Sequence, residues 1–224
     1  MNPVTLSRLC WRRLGPADCD RIFALHVHAI WGMGPDQVLL QRPEFFADLL
    51  GGAGLIIGAC DPDGELVAYG ALQNSPDPDT RPDIWLDWPA DACIQKLAGA
   101  SVTPEYRGHR LQRQLIRRRI ALADPDAYLY VTAAPSNPAS WRSLLREGFE
   151  IVRLCRVCGG ALRYLLVRRA RAPAAASRVT NGAVVHFLDS LPMDEQGRLL
   201  MQGWRGRFHE RVGCVLASPE EALR

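Results

Sequence analysis

A strand-to-helix junction at residues 102–119 has residue types that suit anion binding. The stretch reads VTPEYRGHRLQRQLIRRR and passes through Pro104 and Gly108 into an arginine-rich helix. A helix N-terminus presents unpaired N–H groups and a partial positive charge, and both attract phosphate. Gly108 would let a ligand approach the backbone without meeting a Cβ, and Pro104 ends the strand sharply. By itself the stretch fits either a phosphate-binding turn or an ordinary connection.

The helix that follows this junction has two faces. Its apolar residues recur at helical spacing and form one stripe. The stripe consists of Leu111, Leu115, Ile116, Ile120 and Ala123. The arginines mostly avoid it, which is typical of a solvated face, with phosphate contact as the alternative. These are Arg113, Arg117, Arg118 and Arg119.

Composition and charge limit the class of protein. The 224 residues, 48% of them hydrophobic, suffice for one sizeable core or for one domain with an appendage. The formal net charge of +3 is too weak to indicate a nucleic-acid partner, which argues against reading the arginine-rich helix as a DNA-binding element. The seven scattered cysteines favour reduced thiols over a disulfide framework. Because no apolar run approaches the roughly 18 residues that span a bilayer, we expect a soluble, cytoplasmic protein.

The order of predicted elements indicates an α/β chain with a mixed sheet. A strand, two helices, a hairpin around the DPDG turn at 61–64 and a strand at 93–102 precede the junction. A strand, a helix capped by Ser136 or Asn137, and two more strands follow it. The Ala- and Pro-rich stretch at 170–182 predicts a linker, which gives a domain at 1–170. Residues 171–224 then hold the linker and a strand–helix–strand extension packed on the core.

Two motifs, in this order, resemble the acetyl-CoA signature of the GCN5-related N-acetyltransferase (GNAT) family. The first is VTPEYRGHRLQ, which is similar to the common form V-x-P-x-x-R-G-x-G-L. The matching residues are Val102, Pro104, Arg107, Gly108 and Leu111. The second is LYVTAAPSNPASWRSLLREGF, a strand followed by an Asn and a helix that ends in Gly-Phe. The matching residues are Asn137, Ser140, Gly148 and Phe149.

The resemblance covers roughly residues 5–170 and implies a GNAT fold. That fold is a mixed central β-sheet flanked by helices, followed here by the C-terminal strand–helix–strand extension. The resemblance also implies acetyl-CoA, or another acyl-CoA, as the cofactor, with backbone N–H groups holding its pyrophosphate and Asn137 holding its pantetheine arm. The residues assigned to the cofactor are Val102, Arg107, Gly108, His109, Arg110, Leu111, Gln112 and Asn137.

The mechanism that the resemblance implies is direct attack of a neutral amine on the thioester in a ternary complex. Many family members place a general-acid Tyr four residues before the Gly of the Gly-Phe pair, where this chain has Leu144. By position, Ser140 and Tyr130 are the catalytic candidates, and Cys155 is a third. Each also has a structural interpretation, as a capping or surface serine, a packed tyrosine and a buried thiol.

The acceptor side is predicted from acidic and aromatic residues before the 93–102 strand. Such residues suit a cationic amine, and a solvated loop anchored by its tryptophans is the alternative. The candidates are Asp83, Trp85, Asp87, Trp88 and, on the first helix, His28. His26 lies near the apolar stripe of that helix, so we expect it to be packed. The expected partner is a small-molecule amine or a peptide or protein amine, and the extension could also form a homodimer contact.

Two features bear on activity and on metal binding. Arg110 stands where the family has a small residue and Leu144 stands where it has Tyr, which favours a GNAT-fold acyl-CoA-binding or regulatory protein with little activity. Arg107-Gly108 and Asn137 favour the enzyme. Cys155 and Cys158 lack a second pair of ligands, and neighbouring strand positions face opposite ways, so we expect no metal.

Overall fold

The computed structural model describes residues 8–75, 82, 86–157, 160–173 and 185–219. The chain forms two compact units. Unit 1 comprises Met1–Pro76 and Ile94–Ala123, and unit 2 comprises Asp77–Cys93 and Asp124–Arg224. Each unit is built from two separate segments of the chain, and the predicted domain boundary near residue 170 stays a prediction.

The described part of unit 1 contains four strands in the order β1–β2–β3–β4, with every neighbouring pair antiparallel. They are β1 (Cys10–Arg13), β2 (Gly54–Cys60), β3 (Leu66–Gln73) and β4 (Ile94–Val102). The predicted hairpin is confirmed as β2 and β3. In its turn, Asp61 Oδ1 accepts hydrogen bonds from the N–H groups of Asp63 (3.0 Å) and Glu65 (2.9 Å), which is the local bonding that makes Asp a turn residue.

Three α-helices of unit 1 cover the two faces of these strands. They are α1 (Cys19–Ile30), α2 (Pro43–Asp48) and α3 (Leu111–Leu122). Ile56 packs with the apolar residues of α1 and α2, whereas Ile57 packs with Leu111 and Leu115 of α3. Because successive strand residues face opposite sides, α3 lies on the face opposite α1 and α2.

The start of α1 is fixed to β1 by one carboxylate. Asp18 accepts two hydrogen bonds from the Arg12 guanidinium, at 2.8 and 2.6 Å, and one from the Gly15 N–H at 3.0 Å. The hydrogen bond to Arg12 is the main reason that the pKa of Asp18 falls to about 2. The carboxylate is therefore charged at the positive end of α1, as expected for an acidic residue there.

Strand β4 has one residue more than the segment of β3 that it faces. Gly70 is aligned with Ala100 and Leu72 with Leu97, so two steps along β3 correspond to three along β4. The extra residue lies in Ala98–Gly99. A bulge of this kind removes backbone groups from the ladder and bends the strand.

The described part of unit 2 contains six strands in the order β5–β7–β6–β9–β10–β8, again antiparallel. They are β5 (Tyr128–Ala133), β6 (Glu150–Val157), β7 (Ala161–Arg169), β8 (Val185–Phe187), β9 (Arg205–His209) and β10 (Gly213–Ala217). Its helices are α4 (Pro138–Arg146) and α5 (Met193–Met201).

The C-terminal extension has one strand more than the sequence pattern predicted. Its strand, helix and final strand are β8, α5 and β10, but β9 lies between α5 and β10. The β9 sequence RGRFH carries a single large apolar residue, so no strand alternation was visible. Through Ile151 and Gly206, β9 pairs with β6, and the extension therefore continues the strands of unit 2. Within the described ranges, no helix is long and apolar enough to cross a membrane.

Candidate functional site

The β4–α3 loop, residues 103–110, contains two residues in the left-handed region. Pro104–Tyr106 form a single 3-10 turn after β4. Gly108 then has a φ of 79° and Arg110 a φ of 61°. The positive φ angles of these two residues turn the chain from the end of β4 into α3. The predicted junction is therefore confirmed as a tight strand–turn–helix.

The start of α3 offers backbone donors to a ligand. The first N–H groups of a helix have no carbonyl one turn earlier, and here the Gln114 N–H reaches back to the Arg110 carbonyl at 3.1 Å. No side chain caps this helix. The N–H groups of Leu111 and Gln112 therefore remain available at the positive end of the α3 dipole.

Space beside Gly108 is open. A Cβ placed on this residue would meet no atom within 4 Å. Since glycine adopts a positive φ at little cost, it satisfies the turn and also leaves the backbone uncovered. A turn with this geometry leaves its main-chain N–H groups accessible, and anion binding there stays a prediction.

The Arg107 side chain binds within unit 1. Its guanidinium donates to the Ala29 carbonyl near the end of α1, and its Nε donates to the Val102 carbonyl at 3.4 Å. Arg107 therefore holds the β4–α3 loop against α1 and the end of β4. A direct role of its side chain in cofactor binding stays a prediction.

His28 lies beside this loop. Its Nε2 is 3.4 Å from the Glu105 carboxylate, and both side chains are exposed. A hydrogen bond from its own backbone N–H lowers the pKa of Glu105, and the contact with His28 adds to this effect. The residue predicted to meet the acceptor is thus placed next to a carboxylate of the loop.

Replacing Arg110 by glycine is expected to stabilise the fold. A non-glycine residue at positive φ is strained, so Arg110→Gly should raise the free energy of unfolding by about 0.5–1 kcal/mol, measured by urea unfolding. Gly108→Ala, with the opposite change at a similar φ, should lower it. An unchanged or lower stability in Arg110→Gly would show that the Arg110 side chain makes stabilising contacts that outweigh the strain.

A buried polar cluster lies between α1 and the neighbouring strands of unit 1. His26 is 4% exposed and Tyr69 is fully buried. The Gln41 N–H donates to His26 Nε2 at 3.0 Å, so the proton of the neutral ring is on Nδ1. Nδ1 lies 3.0 Å from the Tyr69 hydroxyl and 3.3 Å from Ser101 Oγ. Burial lowers the pKa of His26, and a smaller effect of a hydrogen bond with the Leu39 backbone raises it. His26 is therefore packed in its neutral form, as expected from its position near the apolar stripe of α1.

This histidine should make stability depend on pH. In the unfolded chain His26 takes up a proton as the pH falls below the ordinary histidine pKa of about 6.5, whereas in the folded protein it stays neutral to a lower pH. Stability is therefore complete above that pH and falls as the pH drops towards the lower pKa of folded His26. We expect the difference in unfolding free energy between pH 7.5 and pH 5.5 to shrink in His26→Gln. The exposed His109→Gln is the control, and an equal pH dependence in wild type and His26→Gln would contradict the assignment.

Unit 2 carries the second motif. The Asn137 side-chain oxygen accepts the Ser140 N–H at 3.3 Å and caps α4. Ser140 is half-buried, whereas Tyr130 is fully buried within β5 and Leu144 is 2% exposed. The predicted cap is confirmed at Asn137, and the catalytic roles of Ser140 and Tyr130 stay predictions.

The predicted acceptor residues of unit 2 are only partly described. Asp83 and Trp85 lie outside the described residues. Asp87 is exposed. The Trp88 ring lies 4.6 Å from the Tyr128 ring, and so Trp88 anchors its segment to β5. Cys158 is likewise outside the described residues, and no group of three metal-binding side chains occurs in the part that is described.

Sequence reasoning missed Arg119, which it placed on a solvated face. The side chain is 2% exposed. Its Nη1 donates to the carbonyls of Ala71 (3.2 Å) and Ala98 (3.1 Å), and its Nε donates to the Leu115 carbonyl (3.1 Å). The spacing of α3 indicated this burial, because Arg119 follows the buried Leu115 by four residues and therefore lies on the same face of the helix.

Comparison with solved structures identifies the fold. The Arabidopsis thaliana NAA60 structure with a bisubstrate analogue matches with a TM-score of 0.57 and 19% identity, over 71% of this chain and 97% of that one. A putative GnaT-family acetyltransferase from Bordetella pertussis matches at 0.53 and 20%, over 73% and 97%. The aminoglycoside acetyltransferase AAC(6')-Ib, solved with coenzyme A and kanamycin, matches at 0.55 and 14%, over 72% and 94%.

The sequence itself matches no family model and no curated protein. The likeness therefore lies in structure, and it agrees with the two motifs that the sequence carries in the order expected. The predicted α/β fold, strands flanked by helices, is confirmed by these neighbours. The chain has the fold of the GNAT-family N-acetyltransferases.

Proposed function

We propose that the chain is an acetyl-CoA-dependent N-acetyltransferase that transfers an acetyl, or another acyl, group to an amine. The β4–α3 loop carries this proposal, since uncovered Gly108 and the unpaired N–H groups of α3 converge where a GNAT-type motif lies. Two neighbours support the cofactor, NAA60 solved with acetyl-CoA and AAC(6')-Ib solved with coenzyme A.

The pyrophosphate is the part of the cofactor that this loop suits best. Backbone N–H groups from Gly108 to Gln112 donate to its oxygens, and the partial charge of the α3 N-terminus favours the anion. The exposed side chains of His109 and Arg110 lie beside the same groups. Arg107 fixes the loop by donating to the Val102 carbonyl at the end of β4 and to the Ala29 carbonyl of α1.

Asn137 is the residue proposed for the pantetheine arm. Its side-chain oxygen is used by the α4 cap, whereas the amino group of the same amide can donate to a carbonyl of the ligand. One side chain thereby serves two functions, because an amide is both an acceptor and a donor.

The chemistry is nucleophilic attack by a neutral amine on the thioester carbonyl. The nitrogen forms the new C–N bond, the tetrahedral intermediate expels the CoA thiolate, and the ammonium proton leaves to a base. Ser140 and Tyr130 are the hydroxyls proposed to protonate the thiolate. Holding the two reactants together supplies most of the rate enhancement.

The acceptor is a small-molecule amine or a peptide or protein amine. AAC(6')-Ib is solved with kanamycin, and another neighbour is named as a ribosomal-protein-S18-alanine N-acetyltransferase from Escherichia coli, so a small-molecule and a protein acceptor both occur among the neighbours. Asp87 supplies an exposed carboxylate for a cationic amine, with His28, Asp83, Trp85 and Trp88 as further candidates. A soluble cytoplasmic protein and a homodimer contact through the extension remain part of the proposal.

Calorimetry with acetyl-CoA, followed by thiol release on a panel of amines, tests the function. The panel contains peptides with free N-termini, peptides with blocked N-termini and internal lysines, and aminoglycosides. We expect saturable binding and thiol release with at least one class. Binding without thiol release would favour the alternative, an acyl-CoA-binding protein with little activity, which the buried Leu144 at the usual Tyr position supports. No binding would reject both.

A further inference from the structure

A cleft in unit 2 is formed by residues that have no assigned part in binding acetyl-CoA or the amine. It lies between the second half of α4 and the segments at 187–190 and 212–214, and its volume is about 360 Å³. That volume is at the lower end of the range found for small-molecule sites. We call it the α4 cleft, and the lining residues that define it are Arg142, Arg146, Phe187, Asp189, Val212 and Cys214.

The α4 cleft contains a cation that has no carboxylate partner. Arg142 and Arg146 are four residues apart, so they lie on the same side of the helix. Arg142 forms an ion pair with Asp189 at 2.5 Å. Among the described residues, no carboxylate forms an ion pair with Arg146, and its guanidinium carbon lies 5.0 Å from the centre of the Phe208 ring. The charge of Arg146 is therefore available to a ligand.

The buried part of the lining is a neutral thiol. Cys214 is 8% exposed. Burial raises the pKa of this thiol, and the smaller effects of Arg146 and Arg142 lower it, so the thiol is protonated at neutral pH. The two arginines and Asp189 then leave a net charge of +1 in the lining. This charge is complementary to one negative charge on a ligand.

Two apolar side chains of the same cleft are exposed. Phe187 is 53% exposed and Val212 is 42% exposed. Because they line one cleft together, an apolar group placed against them would be removed from water on two sides. The Phe187 ring also favours contact with a second aromatic ring. The α4 cleft thus combines an available cation with an apolar wall.

We propose that the α4 cleft binds a small organic acid with an apolar body. The planar guanidinium of Arg146 donates to the two oxygens of the carboxylate, and the body contacts Phe187 and Val212. A carboxylate matches the net charge of the lining, whereas a phosphate monoester brings a second negative charge close to Asp189. This inference goes beyond the proposed function and does not depend on it.

Four probes, titrated into the full chain by calorimetry, separate the two parts of such a ligand. Benzoate has both parts, acetate lacks the apolar body, benzyl alcohol lacks the charge, and phenyl phosphate has a second charge. We expect saturable binding of benzoate, at least about tenfold tighter than binding of acetate or benzyl alcohol and tighter than that of phenyl phosphate. No saturable binding of benzoate, equal binding of benzyl alcohol, or tighter binding of phenyl phosphate would overturn the inference.

Arg146→Gln should weaken benzoate binding by at least about tenfold, because it removes the charged donor. Arg198→Gln is the matched control, since Arg198 is likewise an exposed arginine in the last turn of a helix of unit 2, and it should bind benzoate as wild type does. Unchanged affinity in Arg146→Gln would overturn the proposed carboxylate contact.

Phe187→Ser tests the apolar wall, and it keeps the proposal falsifiable if Arg146→Gln does not fold. We expect this variant to bind benzoate at least about threefold more weakly than wild type, because part of the apolar contact is lost. Wild-type affinity in Phe187→Ser would overturn the inference. Light scattering on the same variant tests a second copy of the chain as the occupant, and loss of a wild-type dimer in Phe187→Ser would assign the α4 cleft to that interface instead.

Discussion

Gly108→Val is expected to weaken acetyl-CoA binding by about 100-fold or more, because a branched side chain would cover the N–H groups that take the pyrophosphate. The space it would enter is empty of protein atoms, so the lost affinity would come from the ligand side. Valine at a φ of 79° is also strained, which should cost about 1–2 kcal/mol of stability. Calorimetry and urea unfolding measure the two effects separately.

Gly64→Val is the matched control for this substitution. Gly64 has a φ of 85° in the β2–β3 turn, and a Cβ there would likewise meet no atom within 4 Å. The two variants should lose similar stability, and only Gly108→Val should lose affinity. Equal affinities for acetyl-CoA in both would mean that the β4–α3 loop is an ordinary connection.

Asn137→Asp should weaken acetyl-CoA binding by about tenfold or more while leaving stability near that of wild type. Aspartate is as good a helix cap as asparagine, so the bond to the Ser140 N–H survives. The amino group that would donate to the pantetheine arm is replaced by a carboxylate oxygen, and a buried acceptor left unsatisfied costs about 1–3 kcal/mol.

Asn137→Ala separates the cap from the ligand contact. It loses both, and should lower the free energy of unfolding by about 1 kcal/mol in addition to weakening binding. Calorimetry and thermal unfolding on both variants distinguish the roles. Wild-type affinity in Asn137→Asp would assign Asn137 to capping alone and remove it from the cofactor site.

The features that the sequence predicted well are those that local chemistry determines. Asp61 bonds the N–H groups of its own turn, Asn137 bonds its own helix, and Gly108 adopts a φ that few other residues tolerate. Each of these interactions spans only a few residues, so type and spacing were sufficient to predict the hairpin, the α4 cap and the tight junction before α3.

The burial of a side chain or the formation of a strand could not be predicted from residue type and spacing where it depends on residues distant in the sequence. Arg119 lies on the apolar stripe of α3, yet its burial requires the gap at Gly70 and a free carbonyl at Ala98, which come from two other strands. Strand β9 has no alternation of its own, and its five residues are paired along their whole length with β10 and at Gly206 with β6. These pairings depend on other strands and are not visible in the β9 sequence itself.

A crystal structure of the protein with acetyl-CoA tests most directly whether the β4–α3 loop binds the pyrophosphate of an acyl-CoA. We expect pyrophosphate oxygens at hydrogen-bond distance, about 2.7–3.2 Å, from backbone N–H groups between Gly108 and Gln112. A cofactor bound with its pyrophosphate elsewhere, and this loop contacting only solvent, would contradict this expectation.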